Sequence, residues 1–160
     1  RGQALVTGSQ VVQGKMMAEG SQPYEAWREP LRQLIVTQST IDDLAASVLL
    51  PLLPDLPRLL NREVAPAPEL GEKAAQARLF ATMAKLFWQT KRPLLFILED
   101  LHLAETSLLP LPYLTRLVEY YPLLIVGSYR TDELPTLPAP LSDMSYLQLE
   151  RLSAEAMAES

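Results

Sequence analysis

The sequence predicts an α/β fold in which a mainly parallel sheet carries helices on both faces. Three short apolar runs, at residues 4–7, 94–98 and 123–126, have the length and composition of buried strands. Near-continuous apolar runs are typical of strands that are covered on both faces, as in a parallel sheet. Stretches with helical periodicity lie between these runs, and this alternation of strand and helix indicates an α/β fold. A fourth run, at residues 146–150, alternates apolar and polar residues and predicts an edge or late strand.

Two helices are predicted from apolar periodicity. The stronger signal covers residues 72–90, where an acidic residue opens the first turn and basic residues follow the end. The other covers residues 41–50, with Ser39 or Thr40 as the expected N-cap. The expected buried face of this second helix consists of Ile41, Leu44, Ala45 and Val48.

Proline sets the limits of the remaining segments. A third helix lies within residues 24–36, and Pro30 is compatible with it only if regular helix begins near Trp27. Residues 51–70 contain five prolines interleaved with leucines, which predicts a packed, irregular connector. Residues 134–140 contain three more prolines and predict a second loop.

Length and composition indicate one globular domain and exclude several classes of function. The 160 residues suit a single domain, which we expect to be a partial one because the chain starts with neither an initiator Met nor a signal-peptide pattern. The net charge of −5 argues against nucleic-acid binding. The absence of cysteine excludes disulfides and thiol nucleophiles. No run approaches the roughly 18 apolar residues of a membrane-spanning helix, so we expect a cytoplasmic protein.

An acidic pair, Glu99 and Asp100, follows the apolar run at 94–98. The carboxyl end of a parallel strand is where ligands bind, so the pair is expected to face a site, as in a Walker B strand. One carboxylate can hold Mg²⁺ while its neighbour orients or deprotonates the water that attacks a γ-phosphate. Alternatively, the pair only caps the following helix or leads the chain into solvent.

A Walker B strand implies a phosphate-binding loop, and the nearest match to one is poor. Residues 8–16 place five residues between Gly8 and Gly14 instead of four, and Met16 supplies no hydroxyl group for a metal. We therefore expect Gly14 and Lys15 to lie in an ordinary loop that does not bind phosphate.

Polar residues also follow the apolar run at 123–126. A guanidinium from Arg130 would lie beside Asp100 if the two strands are neighbours, where it could sense a γ-phosphate. Equally, Arg130 could form an ion pair with Asp132 or Glu133, or with Asp100 itself. The only histidine, His102, is expected to be a loop or helix-entry residue rather than a catalytic base.

Several segments, taken in order, resemble one known family. They are Pro23 to Arg32, which begins Pro-Tyr and continues as a helix; Leu52-Leu53-Pro54; Arg78-Leu79-Phe80 in a long helix; Glu99 to Glu105 (EDLHLAE), similar to Asp-Asp-Leu-His-Trp-Ala-Asp; Gly127 to Leu134 (GSYRTDEL); and Leu149 to Ser153. This order resembles the P-loop nucleotide-binding domain of AAA-type signal-transducing ATPases with numerous domains (STAND), found in bacterial multidomain signalling proteins and transcriptional regulators.

The resemblance implies a P-loop NTPase-like sheet whose first strand and Walker A loop precede Arg1. It implies a domain that binds and hydrolyses ATP with Mg²⁺ and uses the nucleotide state as a switch. Glu99 then stands at the metal position, Asp100 at the metal and water-activating position, and Arg130 at the γ-phosphate sensor. The expected partners are neighbouring domains of the same polypeptide and, in a possible homo-oligomer, other copies of the chain, with no contact to nucleic acid or membrane.

Two other interpretations stay open. Glu99 stands where the family has Asp, and prolines interrupt a region that is normally helical, which favours a nucleotide-binding fold that has lost its chemistry and serves as an interaction module. The chain could also be an unrelated α/β domain with an acidic site.

Overall fold

Three parallel strands form the sheet of this protein. The computed structural model describes residues 8–17, 23–38, 40–103, 105–133, 141–142 and 144–149, to which the structural statements below apply. Strands β1 (Gln10–Lys15), β2 (Leu94–Glu99) and β3 (Leu123–Gly127) lie in the order β1-β2-β3. The helices are α1 (Arg28–Thr37), α2 (Asp43–Leu49), α3 (Leu56–Leu60), α4 (Glu72–Trp88) and α5 (Leu111–Thr115), with 3₁₀-helices at Glu25–Trp27, Leu101–Leu103 and Glu105–Leu108. The α/β class and the parallel sheet are therefore confirmed.

Strands β2 and β3 confirm two of the predicted strands and their parallel pairing, with Leu94 opposite Leu123 and Leu98 opposite Gly127. Strand β1 was not predicted: the expected loop around Gly14 and Lys15 is a strand that pairs in parallel with β2. The predicted strand at 4–7 lies outside the described residues.

Glycine is required within β1 because the chain passes very close to it. A Cβ atom on Gly14 would lie under 3.0 Å from the carbonyl oxygen of Ala26, and 3.3 Å from Cδ2 of Leu98. Gly14 therefore allows the backbone at the 3₁₀-helix Glu25–Trp27 to pack directly on the strand. A glycine that suggests a turn in the sequence is here a point of close packing in a strand.

The core lies on one face of the sheet. Phe96 of β2 is fully buried and contacts Trp27 and Phe87, with ring centroids 5.2 and 4.9 Å apart. The opposite face is open at β3, where Leu124 is 61% exposed and Val126 is 44% exposed. The prediction that both faces are covered is therefore wrong for β3, although its residues are as apolar as those of a fully buried strand.

Helix α4 confirms the strongest helix prediction. The third predicted helix begins where expected, because the 3₁₀-helix ends at Trp27 and α1 starts at the next residue. Helix α2 begins later than predicted. Its N-cap is Asp42, whose carboxylate accepts a 2.8 Å hydrogen bond from the Ala45 amide, and not Ser39 or Thr40.

The buried face of α2 also differs from the prediction. Leu44 is exposed, and the buried residues are Ala45, Ala46, Ser47, Val48 and Leu49. This face packs against α4.

The connector at 51–70 is irregular apart from the five residues of α3. Residues 146–149 form no strand, so the prediction of a strand at 146–150 is wrong for the part that is described. Residues 134–140 lie outside the described residues. Among the helices that the structure describes, none is both long and apolar enough to cross a membrane.

Candidate functional site

The carboxyl ends of the three strands form a shared edge of the sheet, called here the carboxyl edge. Lys15 ends β1, Glu99 ends β2 with Asp100 next, and Ser128 follows β3. The Ser128 amide donates a 2.9 Å hydrogen bond to the carbonyl oxygen of Leu98. The strands thus stay in register up to this edge.

Asp100 turns the chain out of β2 in a left-handed conformation, with φ of 59°. Aspartate is one of the few residues other than glycine that adopt this conformation readily. The 3₁₀-helix Leu101–Leu103 follows at once, and the Leu101 amide donates a 2.9 Å hydrogen bond to the carbonyl oxygen of Ser128. The sharp turn therefore ties the end of β2 to the segment after β3.

Lys15 and Asp100 form an ion pair across the carboxyl edge. Lys15 Nζ lies 3.3 Å from Asp100 Oδ2, and the two side chains are 62% and 33% exposed. Within the described part of the chain, the side chain of the neighbouring Glu99 has no hydrogen bond or ion pair. The carboxyl edge thus holds one paired and one unpaired carboxylate.

Arg130 is held by two carboxylates that follow it in the chain. Its guanidinium donates hydrogen bonds of 2.8 and 3.3 Å to Asp132, and Nη1 lies 2.8 Å from Glu133 Oε1. The hydrogen-bonded carboxylate of Asp132, together with the charges of Asp132, Glu133 and Asp100, raises the pKa of Arg130 above its usual value. The ion pair with Asp132 and Glu133, which the sequence left as an alternative, is therefore present, and Asp100 acts on Arg130 only through its charge.

His102 links the acidic turn to the segment after β3. Its side chain is only 4% exposed. Its Nδ1 atom accepts a 3.4 Å hydrogen bond from the Arg130 amide, and its Nε2 atom lies 3.2 Å from Glu133 Oε2. The helix-entry position predicted for His102 agrees with the 3₁₀-helix Leu101–Leu103, but these contacts were missed. The only sequence signal was a lone histidine two residues after the acidic pair.

The chemistry of the carboxyl edge fits Mg²⁺ but offers little to the phosphates of a nucleotide. Mg²⁺ is usually bound by one or two carboxylates together with water and substrate phosphates. Glu99 and Asp100 can provide the carboxylates. No group of three or more metal-binding side chains occurs in the described ranges, so a metal here would need ligands from a nucleotide or water. Gly14 and Lys15 cannot form a phosphate-binding loop, because their backbone is paired with β2.

Sequence reasoning and structure thus agree that Asp100 and Arg130 emerge from neighbouring strands at one edge. The structure adds Lys15 and the contacts of His102 to this edge and shows how the charges are paired. Comparisons with protein-family models, with curated proteins and with solved structures each found no match. The geometry of the carboxyl edge is therefore the main guide to function.

Proposed function

We propose that this chain is part of an ATP-binding and ATP-hydrolysing switch domain of a larger signalling or transcription-regulating protein. The observation that carries the proposal is the parallel pairing of β2 and β3, because it delivers Asp100 and Arg130 to the same edge of the sheet. An acidic residue and an arginine at the ends of neighbouring parallel strands are the groups that phosphoryl transfer needs near a terminal phosphate. The resemblance to the P-loop family supports the same assignment.

In this proposal Glu99 and Asp100 hold Mg²⁺, which neutralises phosphate charge when it is bound. The Asp100 carboxylate orients the attacking water and accepts its proton. Arg130 donates hydrogen bonds to the terminal phosphate, for which its planar group of donors is well suited. Each residue must first leave its present partner: Asp100 must separate from Lys15, and Arg130 from Asp132 and Glu133.

The test uses the full-length protein with Asp100→Asn and Arg130→Ala. Loss of a positioned general base should slow phosphate release from ATP by about 10²- to 10⁴-fold, with a much smaller change in ATP affinity. Arg130→Ala should reduce the preference for ATP over ADP, because the guanidinium is aimed at the terminal phosphate. Asp43→Asn is a control that removes an exposed carboxylate of α2 and should leave both properties unchanged.

A second candidate function is favoured by the way the charges are paired. The Asp100 carboxylate and the Arg130 guanidinium both have protein partners in the described structure, as expected for an interaction module that has kept the fold and lost the chemistry. In that case Asp100 and Arg130 stabilise the turns at the carboxyl edge. ATP hydrolysis that is absent, or that Asp100→Asn leaves unchanged, would decide in favour of this second function.

A further inference from the structure

A closed ring of polar contacts connects His102 with both ends of the segment Arg130–Glu133. The imidazole receives the Arg130 amide at Nδ1 and faces the Glu133 carboxylate with Nε2. The second oxygen of the same carboxylate lies 2.8 Å from Arg130 Nη1, and the Glu133 amide donates a 3.2 Å hydrogen bond to the Arg130 carbonyl oxygen. The backbone amide of Arg130 is therefore held by His102, and its guanidinium is held by Glu133, which faces the same imidazole.

The two nitrogens of the imidazole ring have different partners. Nδ1 accepts a hydrogen bond from the Arg130 amide. Nε2 faces the carboxylate of Glu133. The ring therefore contacts both ends of the segment Arg130–Glu133 at once. The imidazole side chain is only 4% exposed, whereas the side chain of Glu133 is 41% exposed.

We propose that His102 is the positioning residue for Arg130: through the Arg130 amide and the Glu133 carboxylate, the buried imidazole fixes the direction in which the guanidinium points from the carboxyl edge. The inference rests on the proposed function in one respect, namely that the group Arg130 meets is the terminal phosphate of ATP. His102 itself does not contact the nucleotide in this proposal. It acts by keeping the backbone of the Arg130–Glu133 segment in one conformation, so that only the guanidinium has to move when it exchanges its carboxylates for a phosphate.

The test compares three substitutions of His102 that keep different parts of the ring. Asn places an acceptor oxygen where Nδ1 lies and should still receive the Arg130 amide. Gln places a donor nitrogen near Nε2 and should keep only the contact with Glu133, whereas Ala keeps neither. Rescue by Asn but not by Gln would show that the amide contact is the important one, which a general loss of packing would not produce.

The first measurement is hydrogen exchange of the Arg130 amide, followed by NMR in the chain without nucleotide. Exchange should be about 3- to 10-fold faster in His102→Gln and His102→Ala, the range expected for loss of one hydrogen bond, and close to wild type in His102→Asn. Asp132→Asn is the matched control: it loosens the guanidinium of Arg130 but leaves the amide contact intact, so it should not change this rate. Equal exchange rates in wild type, His102→Gln and His102→Ala would overturn the inference.

The second measurement is the ratio of the dissociation constants for ADP and ATP in the full-length protein, with Arg130→Ala measured alongside. If Arg130→Ala reduces the ratio, His102→Gln should reduce it in the same direction and His102→Asn should restore it; an unchanged ratio in His102→Gln overturns the inference. If Arg130→Ala has no effect, the proposed function has failed, and the exchange rate alone decides whether His102 positions the segment.

A variant at an exposed residue keeps the test decisive if the buried variants fail to fold. Glu133→Ala removes a carboxylate that is 41% exposed, and the fold should tolerate it. It takes away the partner of Nε2 and one partner of the guanidinium but leaves the Arg130 amide on Nδ1, so exchange of the Arg130 amide should stay close to wild type. Exchange that is about 3- to 10-fold faster in Glu133→Ala would show that Glu133, and not the imidazole, protects the Arg130 amide, and would overturn the inference.

Discussion

Substitution of Gly14 by alanine should destabilise the protein strongly, because β1 leaves no room for a Cβ atom. The new atom would lie under 3.0 Å from the Ala26 carbonyl oxygen, which is backbone and cannot rotate away, and 3.3 Å from Cδ2 of Leu98. Overpacking of this kind lowers the free energy of unfolding by about 1–3 kcal/mol. Because the backbone carbonyl of Ala26 is rigid, we expect Gly14→Ala to lie in the upper part of this range, at about 2–3 kcal/mol. For a domain of this size, this corresponds to a fall in Tm of about 4–12 °C.

The assay is urea unfolding at equilibrium, followed by tryptophan fluorescence, with Gly71→Ala as the matched control. A Cβ atom on Gly71 meets nothing within 4 Å, and its position at the N-cap of α4 limits the cost to below about 1 kcal/mol. The difference between the two variants isolates the close approach at Gly14. Equal stabilities would refute the placement of Gly14 in a strand against Ala26, and with it the structure of β1.

Three further outcomes are expected. Trp27→Phe removes the indole N–H that donates a 2.7 Å hydrogen bond to the buried Ser107 carbonyl, and should cost about 1–3 kcal/mol in urea unfolding. Asp42→Ala removes the N-cap of α2 and should cost about 1 kcal/mol at pH 7. The hydrogen bond from Lys85, and then that from the Ala45 amide, lower the pKa of Asp42. The contribution of its carboxylate to stability is therefore present above pH ~4 and is lost as the pH falls through the folded-state pKa. The difference in unfolding free energy between wild type and Asp42→Ala should therefore become smaller in acid. Lys15→Met should change stability by less than about 1 kcal/mol and, under the proposed function, raise Mg²⁺·ATP affinity up to about fivefold in calorimetry.

The strands that the sequence predicted correctly have strong local signals. β2 and β3 are almost wholly apolar, and a proline stands just before each of them. β1 carries a mixed signal, with two valines between glutamines and a glycine near its end, and the glycine favoured a loop. The need for glycine at position 14 comes from the close contact with the Ala26 backbone. Contacts of this kind, between separate elements of structure, leave no periodic pattern in a sequence.

Some features of the candidate site could likewise be predicted from the sequence, and others could not. Asp100 and Arg130 could be assigned to one edge from the sequence, since the carboxyl ends of neighbouring parallel strands always meet. The Lys15 contact could not be predicted, because it depends on the register that places Lys15 opposite Glu99, more than eighty positions away in the chain. The His102 contacts depend on the left-handed turn at Asp100, which the residue type permits but does not require.

The ion pair between Lys15 and Asp100 is only a weak obstacle to metal binding at the carboxyl edge. With side chains that are 62% and 33% exposed, the pair is of the surface type, which contributes about 0–1 kcal/mol. A divalent cation that carries phosphate groups offers Asp100 a doubly charged partner. Breaking the ion pair with Lys15 would weaken the affinity for that cation by at most a factor of about five. Glu99 needs no such exchange, because its carboxylate has no partner in the described part of the chain. The stronger constraint lies at Arg130, whose two carboxylates must both be released before the guanidinium can meet a phosphate, so the geometry of this segment decides between a switch and an interaction module.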